Sequence, residues 1–151
     1  MVGAGDFNSD GKADLVWENS LNGQHEIWLM NNGVPTTAVR LAKLGLNWHI
    51  AAVGDFLGNK QSDLVWQNTA TGQRSIWLME NATPVSRIDL GLVGLNWQIA
   101  GAGDFLGTGQ ADLVWQNMVN GRRVIWVLQN GHPTSSIDLP TVSPSWKIVD
   151  H

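Results

Sequence analysis

The sequence predicts an all-β fold, a β-propeller of four-stranded blades with three blades in the chain. Three observations carry this. Gly-Asp-Phe recurs at Gly5, Gly54 and Gly103, 49 residues apart each time. All nine tryptophans occupy three positions of that period: Trp17, Trp66 and Trp115; Trp28, Trp77 and Trp126; Trp48, Trp97 and Trp146. Between them lie short β-rich runs separated by Gly, Asn and Pro, the usual strand and turn signals. The period never slips, yet the copies differ, as in Leu29-Met30 against Val127-Leu128, so they read as diverged duplicates.

Each unit gives four strands. The first is Ile50 to Phe56, or Ile99 to Phe105 in the next copy. It is rich in Gly and Ala (Gly3-Ala4-Gly5, Gly101-Ala102-Gly103), as expected where innermost strands converge and large side chains would collide. The second strand is Ser62 to Gln67, the third Arg74 to Met79 and the fourth Val85 to Leu90. Strands two and three are apolar on consecutive residues, which predicts burial on both faces. Asn22-Gly23, Thr71-Gly72 and Asn120-Gly121 supply the turn between them. Asn32-Gly33 and Asn130-Gly131 supply the next, followed by Pro35, Pro84 and Pro133. A single β-sandwich would leave the 49-residue period unexplained.

The 151 residues form one unit with repeats 1–49, 50–98 and 99–147, and residues 148–151 start a further blade. Propellers typically close with 4–8 blades, so three leave two apolar end faces. Burying on the order of 1,000 Å² of such surface is worth roughly 25 kcal/mol gross. Two chains about a two-fold axis would close a six-bladed ring, so a homodimer is expected. Trp146-Lys147-Ile148-Val149 matches Trp97-Gln98-Ile99-Ala100, which agrees with that closure. A propeller fragment that stays open is the other reading.

A net charge of −4 with scattered Lys and Arg argues against a nucleic-acid partner. No apolar run approaches the roughly 20 residues that span a bilayer, so membrane insertion is not expected. The N-terminal residues do not read as a signal peptide. With no cysteine, the redox compartment is unreadable.

The first loop reads Asp6-x-Asn8-x-Asp10-Gly11-x-x-Asp14. Alternate positions can turn hard oxygens inward together, and Gly11 permits the sharp turn, a chemistry that suits calcium. Asp6, Asn8, Asp10 and Asp14 offer side-chain oxygens, and the Lys12 carbonyl a fifth ligand. In the second and third loops Leu57 and Leu106 replace the Asn, and Asn59 and Thr108 the central Asp. There the remaining carboxylates, Asp55 and Asp63, Asp104 and Asp112, are expected to bind loop N–H groups.

At this motif, GDFNSDGKADLVW, the sequence resembles the FG-GAP or VCBS repeat of integrin-like β-propellers, and the resemblance extends over all three units. It implies calcium in the loop between the first and second strands and an extracellular or secreted setting. It also implies kinship with integrin-like propeller lectins, whose sugar sites lie between blades.

The opposite rim carries Asn47-Trp48, Asn96-Trp97 and Trp146, beside the strand-two ends Glu18-Asn19, Gln67-Asn68 and Gln116-Asn117. An indole face beside amides is what a sugar needs, stacking plus hydroxyl recognition. These tryptophans could instead plug the gaps between blades. Trp17, Trp28 and their copies lie in apolar runs and read as core.

No catalytic set emerges. His25, His49, His132 and His151 neither repeat nor show metal spacing. There is no Cys, no Gly-x-Ser-x-Gly and no phosphate loop. Asp89 and Asp138 read as surface residues. The sequence therefore points to a non-enzymatic calcium-binding module that takes carbohydrate. The alternative is a structural or protein-interaction propeller, and a hydrolase would need an unseen carboxylate pair at the axis.

Overall fold

The computed structural model describes residues 1–149. They form three antiparallel four-stranded sheets, each from one contiguous stretch of chain and each paired in sequence order. Sheet 1 holds β1 (Gly3–Gly5), β2 (Asp14–Glu18), β3 (His25–Asn31) and β4 (Val34–Arg40). Sheet 2 holds β5 (Trp48–Gly54), β6 (Asp63–Asn68), β7 (Gln73–Glu80) and β8 (Thr83–Leu92). Sheet 3 holds β9 (Trp97–Gly103), β10 (Asp112–Asn117), β11 (Arg123–Gln129) and β12 (His132–Leu139). The first strands start two residues earlier than the sequence suggests, because Trp48 and Trp97 already pair with Asn68 and Asn117. No helix occurs among the described residues.

The first strands lie side by side, β1 against β5 and β5 against β9. This is why they are poor in side chain. A Cβ on Gly3 would stand 2.7 Å from Val53 Cγ2, and one on Gly54 would stand 3.1 Å from the Cβ of Ala111. Backbone bonds stitch neighbouring sheets at the same end: Ser62 N–H donates to the Asp6 carbonyl at 2.7 Å, and Ala111 N–H to the Asp55 carbonyl at 2.8 Å.

Two apolar layers fill the gaps. Phe7, Val16, Ile27, Leu64, Trp66, Trp77 and Met79 pack between sheets 1 and 2. Phe56, Val65, Ile76, Leu113, Trp115 and Leu128 pack between sheets 2 and 3. Sheet 2 is thus covered on both faces, and β6 is buried nearly throughout. In β2 burial alternates instead, because Leu15 and Trp17 face away from sheet 2. The expectation that all strand-two and strand-three tryptophans are core is corrected accordingly. Trp66 is 0 % and Trp115 1 % exposed, whereas Trp17, Trp28 and Trp126 are half-buried.

The turns between the third and fourth strands follow one conformation. Asn32-Gly33 and Asn130-Gly131 have φ of 52° and 79°, and 50° and 79°, the double left-handed geometry of a type I′ hairpin. Asn81-Ala82 adopts it too, at 49° and 61°, although Ala82 carries a Cβ there. Its buried N–H donates to the Phe7 carbonyl of sheet 1, which holds it in place.

Residues 140–149 form no strand. They cross the outward face of sheet 3, where the Trp146 carbonyl accepts from Gln116 and Arg123 and the Ile148 N–H donates to Gln116 Oε1. Of the further blade start expected at 148–151, residues 150 and 151 lie outside the described residues, as does His151.

Candidate functional site: the acidic loop and the tryptophan clefts

The loop between β1 and β2 is organised by its carboxylates. Asp6 Oδ1 accepts the N–H groups of Asn8 and Asp10 at 3.3 and 3.2 Å, and Oδ2 accepts that of Gly11 at 2.9 Å. Asp10 Oδ1 accepts the Lys12 N–H at 2.8 Å, and Asn8 Nδ2 reaches Asp10 Oδ2 at 3.4 Å. Asp14 is fully buried and turned inward: Oδ2 accepts the Phe7 N–H and Oδ1 the Met30 N–H, both at 2.9 Å.

The other loops share this frame. Asp55 and Asp104 collect loop N–H groups as Asp6 does. Asp63 accepts from Phe56 and Met79, and Asp112 from Phe105 and Leu128. The frame therefore forms without Asn8 and Asp10, whose oxygens are additional to it. Burial pushes the Asp63 carboxyl up to about 6, against the pull of its two amide donors.

Among the described residues no three His, Asp or Glu side chains converge as a ready-made metal shell. The donor types of the first loop still fit calcium. Asp6, Asn8, Asp10 and the Lys12 carbonyl are hard oxygens on an accessible loop, with Asp14 at its base.

On the opposite rim the tryptophans separate into different surroundings. Trp48 joins Leu44, Gln73, Ser75, Trp77, Arg87 and Asp89 around a cleft of about 430 Å³. Arg87 lies over the Trp77 ring, 5.1 Å from its centre. Trp97 joins Gln67, Asn68, Arg74 and Gln98 around a smaller cleft of about 150 Å³. Gln67 Oε1 and Arg74 Nε are buried there with no hydrogen-bond partner among the described residues. The cleft in sheet 3 equivalent to that of Trp48 is occupied, since Arg122 stacks 5.7 Å from the Trp97 ring and reaches Asp138 at 3.5 Å.

Other rim residues have structural duties. Asn68 and Asn117 each use Oδ1 to accept two N–H groups of the following turn. Asn47 and Asn96 anchor the next rim turn through their carbonyls, to Thr69 and Met118. Gln116 spends both ends of its amide on Trp146 and Ile148. Trp146 itself is 71 % exposed.

The FG-GAP-like repeat model matches residues 6–66, the span from Asp6 through the second loop to Trp66. That stretch of the chain is therefore similar to the FG-GAP-like repeat. The 49-residue period extends the same unit through sheet 3. A search of curated proteins returns no match.

One cluster in this chain is absent from the sequence reading. Glu18, His25 and His49 come together between sheets 1 and 2: Glu18 Oε1 lies 2.5 Å from His49 Nδ1, and Oε2 lies 3.7 Å from His25 Nε2. The signal was available, because the equivalent positions hold Gln67, Arg74 and Gln98 in the next repeat. His25 is fully buried with its ring edge-on to Trp66, 4.6 Å between centres. Burial holds its pKa below the ordinary value, while Glu18 pulls the other way. A lowered folded pKa means that the stabilisation is complete above the unfolded value of about 6.5 and is lost as pH falls below it. Melting followed from pH 7.5 to 5 should therefore show a steeper loss for wild type than for His25→Phe. Parallel curves would contradict this.

Proposed function

We propose that this chain is a non-enzymatic, propeller-like binding module that takes carbohydrate in the cleft of Trp48 and Trp77, with calcium bracing its first loop. The observation that carries the reading is the composition of that cleft. The half-buried Trp48 indole, next to the buried Trp77, stands beside an amide (Gln73), a hydroxyl (Ser75), a carboxylate (Asp89) and a guanidinium (Arg87). A sugar presents an apolar C–H face for stacking and hydroxyls that both donate and accept. A secreted or surface location goes with this reading.

A glycan array probed with the intact protein is the test. At least one glycan class should bind, and Trp48→Ala should lose it by tenfold or more while the far-ultraviolet spectrum stays unchanged. An array silent for wild type would favour the structural or protein-interaction alternative.

Calcium, when bound, supplies positive charge that offsets the first loop's carboxylates and cross-links its two ends. Asp6, Asn8, Asp10 and Lys12 would hold it above Asp14. At about 100 times its Kd, a ligand of the folded state alone adds about 2.7 kcal/mol, visible as a higher Tm. Asp10→Ala should abolish that rise while leaving the Tm in chelator nearly unchanged. A wild-type Tm indifferent to calcium removes the ion from this reading.

A further inference from the structure

The three repeats place equivalent residues on the next sheet in a fixed register. His25 of sheet 1 lies against Trp66 of sheet 2, and Arg74 of sheet 2 lies over Trp115 of sheet 3, 5.6 Å from its centre. The next member of the series is Arg123 in β11 of sheet 3, 6 % exposed where residues 140–149 cross it. Its guanidinium is held as that of Arg74 is: Arg74 donates to the Trp97 carbonyl, Arg123 to that of Trp146. The tryptophan that completes the series is Trp17, on the outward face of sheet 1.

We propose that these two faces bind each other between two copies of this chain, in the internal register, with Arg123 of one copy over Trp17 of the other and Trp146 in the groove beside Trp28. This deepens the ring closure expected from the sequence, and its test reads chain mass and cross-linking, not carbohydrate binding.

Two further observations fit this occupant. Phe7 and Phe56 are fully buried against the following sheet, but their counterpart Phe105 is 49 % exposed. Sheet 1 carries a groove of about 530 Å³ lined by Trp17, Gln24, Glu26, Trp28 and Arg40. In sheet 2 the matching residues Gln73, Ser75, Trp77 and Asp89 surround Trp48. The residue 98 positions beyond Trp48 is Trp146, the exposed indole.

Sedimentation equilibrium on the full chain should give twice the chain mass. Trp146→Ala removes a side chain that is exposed in the single chain, so it should fold and sediment as a monomer. A covalent arm fixes the register. A Cβ on Gly54 would lie 3.1 Å from Ala111 Cβ, and the equivalent pair across copies is Gly103 and Ala13. In a chain with no native cysteine, Ala13→Cys combined with Gly103→Cys should oxidise to a disulfide-linked two-chain species, because a disulfide spans Cβ atoms about 3.5–4.5 Å apart and a shift of a few tenths of an ångström brings this pair into that range. A wild-type monomer, a dimer untouched by Trp146→Ala, or a double-cysteine variant that stays single-chain on oxidation would each overturn the proposal.

Discussion

Trp66→Ala is expected to destabilise the fold by about 4 kcal/mol, within the usual span for a buried Trp→Ala change. Trp66 is fully buried in the layer between sheets 1 and 2. Its ring meets His25 at 4.6 Å and Trp77 at 4.8 Å between centres. Neither neighbour can follow it. His25 is itself fully buried, and Trp77 is fixed in β7 opposite Leu64. The cavity would therefore stay open, and transfer and cavity costs add. Urea unfolding checks this. A change below about 1 kcal/mol would mean that the layer collapses around the gap.

Asp63→Ala is expected to cost about 3 kcal/mol at neutral pH. Asp63 is fully buried and accepts the Phe56 and Met79 N–H groups at 3.0 and 2.8 Å. Alanine leaves both amides without an acceptor, and an orphaned buried group costs about 1–3 kcal/mol. Part of that is offset at high pH, because burial disfavours the charged carboxylate. A carboxyl raised from its ordinary value of 3.8 to about 6 stabilises fully below the lower value and loses that contribution as pH rises through the upper one. The mutational loss should thus be larger at pH 4 than at pH 8. Denaturant titration at both pH values measures it, and the reverse order would contradict the burial argument.

The sheets were legible in the sequence because their markers are local. Asn-Gly at 32–33 and 130–131 fixes a hairpin wherever it occurs, and Gly3 and Gly5 signal a strand that must come close to another. The middle hairpin was legible only by analogy, since Ala82 hides a left-handed conformation that a contact with Phe7 enforces. The double role of the loop acids was half legible. Repetition marked Asp14, Asp63 and Asp112 as frame residues, but their second amide partner lies 16 residues on, across the third strand, and no short motif reports it. The rim residues show the same limit. Identity placed Gln67 and Gln116 together, yet only the packing of residues 140–149 decides that Gln116 is spent and Gln67 is not. Glu18, His25 and His49 escaped because periodicity directs attention to what recurs, and these three are where the repeat departs from itself.

Each ladder of hydrogen bonds closes within one stretch of fewer than 50 residues, and none runs from sheet to sheet. The chain is therefore close to a one-dimensional array, in which a unit can form before its neighbours and stability spreads along the line. Amide exchange should be slowest in the middle unit, which has a neighbour on either side. The same self-likeness carries a hazard during refolding. A third strand from one unit fits the second strand of another almost as well as its own, so crowded refolding will favour exchanged segments between chains. Glu18, His25 and His49, which differ from their counterparts Gln67, Arg74 and Gln98, mark the first unit off from the second.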